Sequence, residues 1–182
     1  MNNPLSEIRI KPAQMAEYDI VETFYRTLIE SMRDSEFTPE WEMGVYPTEK
    51  FLRDAITGQT LYLAYLRKCL VGAMILNHEY VPEYENVKWQ IDAGRDEIMV
   101  IHALGVSASY QGRGIAKKMV SSVIEMCKNS SFKAIRLDVL KKNIPAAKLY
   151  LSMGFKYIST IKIYYEDTGL TDFQLYEWLN SL

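Results

Sequence analysis

The sequence predicts an α/β protein, a mixed sheet with helices packed against it. Three observations carry that reading. Apolar runs with β propensity alternate with segments of helical periodicity along the chain. Hairpin signals stand near both ends, at Arg67-Lys68 and at Asp167-Thr168-Gly169. In the middle, the strand-like run Glu97–Val106 leads through a glycine loop, Gln111-Gly112-Arg113-Gly114, into a helix starting near Gly112.

Taken in order, Ile8–Ile10 alternates like a short strand ended by Pro12. Gln14–Met32 places Ile20/Val21, Phe24/Tyr25 and Leu28/Ile29 on one stripe, an amphipathic helix. Ser35–Tyr46 is broken by Pro39 and Gly44 and holds Trp41. A helix follows with Thr48 as N-cap and Gly58 as its stop. Thr60–Leu66 and Leu70–Leu76 form the first hairpin, and His78–Asp96 is a polar, aromatic loop of a length that points to function. The helix after the glycine loop repeats apolar residues through Ile115, Met119, Val123 and Cys127. Phe132–Val139 is a strand and Asn143–Met153 a helix closed by Gly154. Phe155–Tyr164 and Thr171–Trp178 are the closing strands.

The 182 residues suit one domain, 1–182, with no repeat or linker. Hydrophobic residues make up 48% and charged residues 24%, an ordinary globular balance. A net charge of −2 argues against a general nucleic-acid binder. The start, Met1-Asn2-Asn3-Pro4, lacks a leader pattern, and no apolar run reaches membrane-spanning length. Cys69 and Cys127 sit in apolar stretches and read as reduced core thiols, without metal-ligand spacing. The expectation is a cytoplasmic protein without a metal.

The glycine loop carries the chemistry. Two glycines let backbone approach a ligand, the helix start offers unpaired N–H groups, and Arg113, Lys117 and Lys118 add charge. That is a phosphate or pyrophosphate site. A Walker loop would need Gly-Lys-Ser/Thr, which is absent, and a dinucleotide fingerprint would need a small residue where Lys117 stands.

Gln111-Gly112-Arg113-Gly114-Ile115-Ala116, preceded by Leu104-Gly105-Val106, resembles the acetyl-CoA loop of the GCN5-related N-acetyltransferase (GNAT) superfamily, Gln/Arg-x-x-Gly-x-Gly/Ala. Asn143, Leu149-Tyr150 and Gly154-Phe155 resemble a second motif of the same family, and the element order matches along nearly the whole chain. The resemblance implies the GNAT fold, a mostly antiparallel sheet of about seven strands flanked by about four helices. It implies transfer of the acetyl group of acetyl-CoA to a primary amine by direct attack in a ternary complex.

By the same resemblance, backbone groups of Leu104, Gly105 and Val106 hold the pantetheine arm like a missing strand. The amides of Gln111, Gly112, Arg113, Gly114, Ile115 and Ala116 hold the pyrophosphate, and Asn143 counts among the cofactor-binding residues. Leu104 is the candidate oxyanion donor, and Tyr150 the acid that protonates the departing thiolate. A lone helical Tyr would otherwise read as core. The base is open. Val100 stands where many members carry Glu, and strand alternation points His102 to the same face as Val100, Leu104 and Val106 unless a bulge intervenes. Glu97, Glu85 and Glu79 are alternates. Lys141-Lys142 reads as a solvated turn before a reader of the CoA 3′-phosphate.

Acceptor contacts are expected among Tyr25, Trp41, Glu42, Tyr46, His78, Glu79, Tyr84 and Trp89, where acids among aromatics suit a cationic amine. A small-molecule or amino-acid-like acceptor is preferred to a protein N-terminus or lysine. A GNAT-fold binding module without activity is the other class of reading, and the tyrosine-rich closing strands allow a homodimer.

Overall fold

A computed structural model describes residues 4–180. Met1–Asn3, part of the start read for a leader, lie outside the described residues. One seven-stranded sheet runs through the chain in the order β1-β2-β3-β4-β5-β7-β6. The strands are β1 (Ile8–Pro12), β2 (Leu61–Leu66), β3 (Cys69–Asn77), β4 (Ile98–Val106), β5 (Ala134–Leu140), β6 (Lys156–Tyr165) and β7 (Gly169–Leu179). Only β4 and β5 pair in parallel; every other neighbour is antiparallel. The helices are α1 (Tyr18–Met32), α2 (Glu49–Thr57), α3 (Ile115–Lys128) and α4 (Ile144–Ser152). The mixed, mostly antiparallel sheet with four helices is the architecture expected from the element order.

The two faces of the sheet carry separate cores. Val21, Phe24, Tyr25 and Leu28 of α1 and Leu52 and Ile56 of α2 pack on Leu61, Leu63, Ala73 and Ile75. On the opposite face Met119, Val120, Val123 and Cys127 of α3 meet Val71, Met74, Met99 and Ile135. Burying each of these aliphatic side chains contributes roughly 1.5–3 kcal/mol. Helix ends follow the sequence. Thr48 Oγ1 accepts the Phe51 N–H at 3.0 Å, Asn143 Oδ1 accepts the Ala146 N–H at 3.2 Å, and Gly154 takes φ +88° beyond α4.

Three expectations are corrected. Cys69 is exposed, because the hairpin turn brings it to the first, solvent-facing position of β3; only Cys127 is a buried thiol. The helix after the glycine loop starts at Ile115, because Gly112 and Gly114 both adopt positive φ and cannot extend it backwards. Lastly, β4 does not alternate regularly. Ile75 pairs with His102 and Ala73 with Gly105, so two steps on β3 face three on β4. Ala103 takes up the extra residue at φ +48°, and the buried Tyr25 hydroxyl donates to its carbonyl at 2.9 Å. Met99, Ile101, Leu104 and Val106 therefore pack toward α3, while Ala103 faces α1. His102 shares a face with Val100 but not with Leu104 or Val106.

Candidate active site

The parallel pairing of β4 and β5 is short. It runs from Ile98↔Ala134 to Val100↔Arg136 and then stops, although β4 continues to Val106 and β5 to Leu140. The strands splay, and the β5-facing edge of β4 beyond Val100 is left without a strand partner. A cavity of about 430 Å³ opens at this splay. Its floor is Ile101–Leu104, the bulged part of β4, and Asp138–Leu140 of β5. Asn143, Ala146 and Tyr150 of α4 form one wall. Trp41 and Tyr46 before α2, Glu79–Val81 and Tyr84 after β3, and Tyr165–Thr168 at the β6–β7 turn complete it. Four carboxylates line the cavity, Glu79, Asp138, Glu166 and Asp167, and among the described residues no lysine or arginine does.

Tyr150 is 6% exposed, its ring set edge-on to Phe155 at 5.4 Å. Its hydroxyl has no hydrogen-bond partner among the described residues and is not sealed in the core. Burial pushes the phenol pKa up, and the nearby Asp138 carboxylate adds to the rise. The group thus keeps its proton at neutral pH.

Asp138 is the residue that sequence reading missed. It is the one acid in a strand that is apolar except for Arg136, with Oδ2 accepting the Tyr84 hydroxyl at 2.7 Å and the Tyr165 hydroxyl at 3.2 Å. Burial raises its pKa, and those two hydrogen bonds oppose the rise. The legible signal was Arg136-x-Asp138: two charged residues on one face of a buried strand require partners or a function.

His102 lines the cavity, but its Nε2 faces two acceptors, Asn77 Oδ1 at 2.9 Å and the Glu79 carbonyl at 3.0 Å. That assigns the proton to Nε2. Burial lowers the pKa to about 4, only partly offset by the Glu79 carbonyl, so the ring is neutral at pH 7. The alternates fare differently. Glu97 binds Lys133 and the Gly94 N–H, and Glu85 sits near Arg95. Glu79 lines the cavity with its carboxylate on Arg95 at 3.1 Å.

Of the expected acceptor contacts, Trp41, Tyr46, Glu79 and Tyr84 are brought together, and Tyr80, Tyr165, Glu166 and Asp167 join them. Tyr25, His78 and Trp89 are structural instead. Tyr25 braces the bulge, His78 holds the Ile98 carbonyl, and Trp89 donates to the Tyr84 carbonyl and lies under Arg136. Glu42 does not line the cavity; its backbone closes a turn with Tyr46. Lys141 pairs with Asp172 and Lys142 with Glu40.

At the far end of the splay, Gly112 (φ +72°) and Gly114 (φ +82°) shape the loop into α3. A Cβ at Gly112 would meet nothing within 4 Å, so the backbone there is open to approach. No side chain caps α3, which leaves its first N–H groups available to an anion. Arg113 is exposed, over the Tyr110 ring at 5.3 Å, and Gln111 donates to the Val106 carbonyl at 3.1 Å. Gly105 is explained by packing, since a Cβ would lie 2.4 Å from Leu28 on the α1 side. Among the described residues no cluster of His, Cys, Asp or Glu could hold a metal, and no helix is long and apolar enough to cross a membrane.

A splayed β4/β5 pair holds an acidic cavity, and the free edge of β4 leads from it toward the uncapped glycine-loop helix. Residues 26–155 match the family model described as the acetyltransferase (GNAT) family, and the chain belongs to that family. N-alpha-acetyltransferase 50 of Danio rerio is 32% identical over 120 residues, 65% of this chain and 64% of its own length. The [ribosomal protein bS18]-alanine N-acetyltransferase of Haemophilus ducreyi is 30% identical over 94 residues, 52% of this chain and 65% of that one. The chain thus spans less than two thirds of either relative. A GNAT-family acetyltransferase structure from Streptococcus agalactiae shares the fold with TM-score 0.79 at 18% identity, covering 96% of each chain. Arabidopsis thaliana Naa50 in complex with the bisubstrate analogue CoA-Ac-MVNAL aligns with TM-score 0.66 at 21% identity, over 94% of this chain and 98% of that one.

Proposed function

We propose that the chain is an N-acetyltransferase that moves the acetyl group of acetyl-CoA to a primary amine. The observation that carries this is the cleft itself. An edge of β4 without a strand partner runs from an uncapped helix start to a cavity where a protonated phenol, Tyr150, and a buried carboxylate, Asp138, converge. Acetyl-CoA supplies the activated acetyl carbonyl. The chain's residues fit it, with α3 N–H groups and Arg113 for the pyrophosphate and the free edge at Leu104 and Val106 for the amide-bearing arm.

The amine arrives as ammonium, drawn by a cavity with four carboxylates and no cationic side chain. Asp138 takes its proton, because burial raises its proton affinity while two hydrogen bonds hold the carboxylate in its charged form. His102 fits the base role less well, since its Nε2–H is committed and its pKa is about 4; it braces Asn77 and Glu79 at the rim. The freed amine attacks the thioester carbonyl to form the C–N bond, and the Leu104 N–H stabilises the oxyanion; as the C–S bond breaks, Tyr150 gives its proton to the leaving sulfur and regains one from the new amide nitrogen.

A small, cationic reactive end suits a cavity of about 430 Å³. A protein N-terminus is the second reading, favoured by the names of the two relatives, an N-alpha-acetyltransferase and a ribosomal-protein alanine N-acetyltransferase. Thiol release from acetyl-CoA, followed with a panel of small amines and of short peptides with free N-termini, tests both. Turnover with either set supports acetyl transfer and identifies the acceptor class. No turnover with any amine would overturn it in favour of a binding module.

A further inference from the structure

Asp138 does not stand alone in its cavity. Four phenols from four different segments surround it: Tyr46 before α2, Tyr84 after β3, Tyr150 on α4 and Tyr165 at the end of β6. Only two of them touch the carboxylate, and both donate to the same oxygen, Oδ2. No described group donates to Oδ1, and that atom is not sealed in the interior.

We propose that Tyr84 and Tyr165 are positioning residues for Asp138, fixing its carboxylate by Oδ2 so that Oδ1 is presented to the incoming amine. The inference rests on the base assignment above and adds the residues that make the base competent. The geometry assigns each hydroxyl a double duty. Two donors on one oxygen lock the side-chain torsion, which leaves the second oxygen a single direction into the cavity. Both bonds are made to an acceptor, so they favour the ionised carboxylate against a site whose burial favours the neutral acid.

The remaining charges near Asp138 do not supply that stabilisation. Arg136, two residues back on β5, is already neutralised by Glu177 at 2.8 Å. Asp167 and Glu83, from the neighbouring turn and loop, are negative and act on Tyr46 and Tyr165. Tyr46 and Tyr150 make no hydrogen bond to the carboxylate. Two phenols therefore do the work that a cation does in other buried carboxylate sites.

The phenols are also held independently. Tyr84 is 2% exposed and stacks on Tyr80 at 5.5 Å, with Trp89 at 5.1 Å. Tyr165 packs edge-on against Phe173 at 5.1 Å. Removing either hydroxyl leaves its ring seated, so phenylalanine is a clean probe of the hydrogen bond.

The test is the pH profile of kcat/KM for the wild type, Tyr84→Phe, Tyr165→Phe and the double variant, with the wild-type-like fold of each checked by thermal melting. The acid limb should move up by about one unit for each hydroxyl removed, with KM for acetyl-CoA unchanged. Carboxyl-carbon NMR titration of the substrate-free protein, with Asp138→Asn to identify the signal, should show the same upward shift. Should Tyr84→Phe not fold, Tyr165→Phe alone still reads the effect. An unmoved limb and NMR titration in the folded variants, with Asp138→Asn inactive, would overturn the positioning role alone. Full turnover in Asp138→Asn would overturn the base assignment and this inference with it.

Discussion

Arg136→Met should cost the protein about 3–5 kcal/mol of stability, the range for breaking a buried ion pair from one side. Arg136 and Glu177 have side chains 5% and 0% exposed and meet at 2.8 Å. Glu177 Oε2 also accepts the Gln90 N–H at 2.8 Å, and Arg136 donates to the Ile91 carbonyl at 3.1 Å with its guanidinium 4.3 Å from the Trp89 ring. The pair therefore pins the 78–97 loop, which carries Tyr84, onto β5 and β7. Met keeps the bulk and removes the charge, which leaves the Glu177 carboxylate buried with one backbone donor. Against a typical total of about 5–15 kcal/mol, the loss is large. Removing both charges, in Arg136→Met with Glu177→Met, should recover about half of it or more. The recovery stops short because the Gln90 N–H then loses its acceptor while the Ile91 carbonyl stays without its donor.

Urea unfolding at pH 7 measures all three proteins. A single-variant loss under about 1 kcal/mol, or a double variant less stable than the single, would refute the reasoning.

Other predictions concern the cleft more directly. Tyr150→Phe should lower kcat by roughly a hundredfold or more while leaving the acetyl-CoA Kd unchanged, because the proposed role uses its proton only as sulfur departs; steady-state kinetics with calorimetry separates the two. Gly114→Ala forces φ +82° on an L-residue and sets a Cβ 3.2 Å from Leu5, so it should cost about 1–2 kcal/mol and weaken acetyl-CoA binding; an unchanged Kd would detach the loop from the cofactor. His102 titrates near 4 when folded and near 6.5 when unfolded, so the unfolded chain gains protons that the folded one refuses. Its contribution to stability is whole above pH 6.5 and is lost as pH falls toward 4. A His102→Gln variant should show a flatter melting temperature over that window, and an identical slope would contradict the assigned burial.

Element order, the helix caps at Thr48 and Asn143, and the glycine loop were all legible, because each depends on local chemistry and on side-chain period. The residues that were not legible depend on tertiary contacts. The β4 bulge is held by Tyr25, seventy-eight positions away, and strand alternation alone wrongly puts Leu104 and Val106 on the face of His102. Cys69 stands in an apolar stretch, yet the hairpin register exposes it, so only Cys127 is a core thiol. Trp89 and His78 look like binding aromatics from composition, but in the fold they brace a loop and a strand. Asp138 carried a signal in Arg136-x-Asp138, but which of the two charges is paired and which faces a cavity is set by tertiary contacts, the Glu177 carboxylate on Arg136 and the Tyr84 and Tyr165 hydroxyls on Asp138.

Calorimetric titration with acetyl-CoA, with ATP and NAD as controls, tests the account at its root. Saturable binding of acetyl-CoA alone, weakened by Arg113→Ala, is the expected result. No binding of acetyl-CoA, or equal binding of ATP, would contradict the reading of the cleft and leave a shared fold without its chemistry.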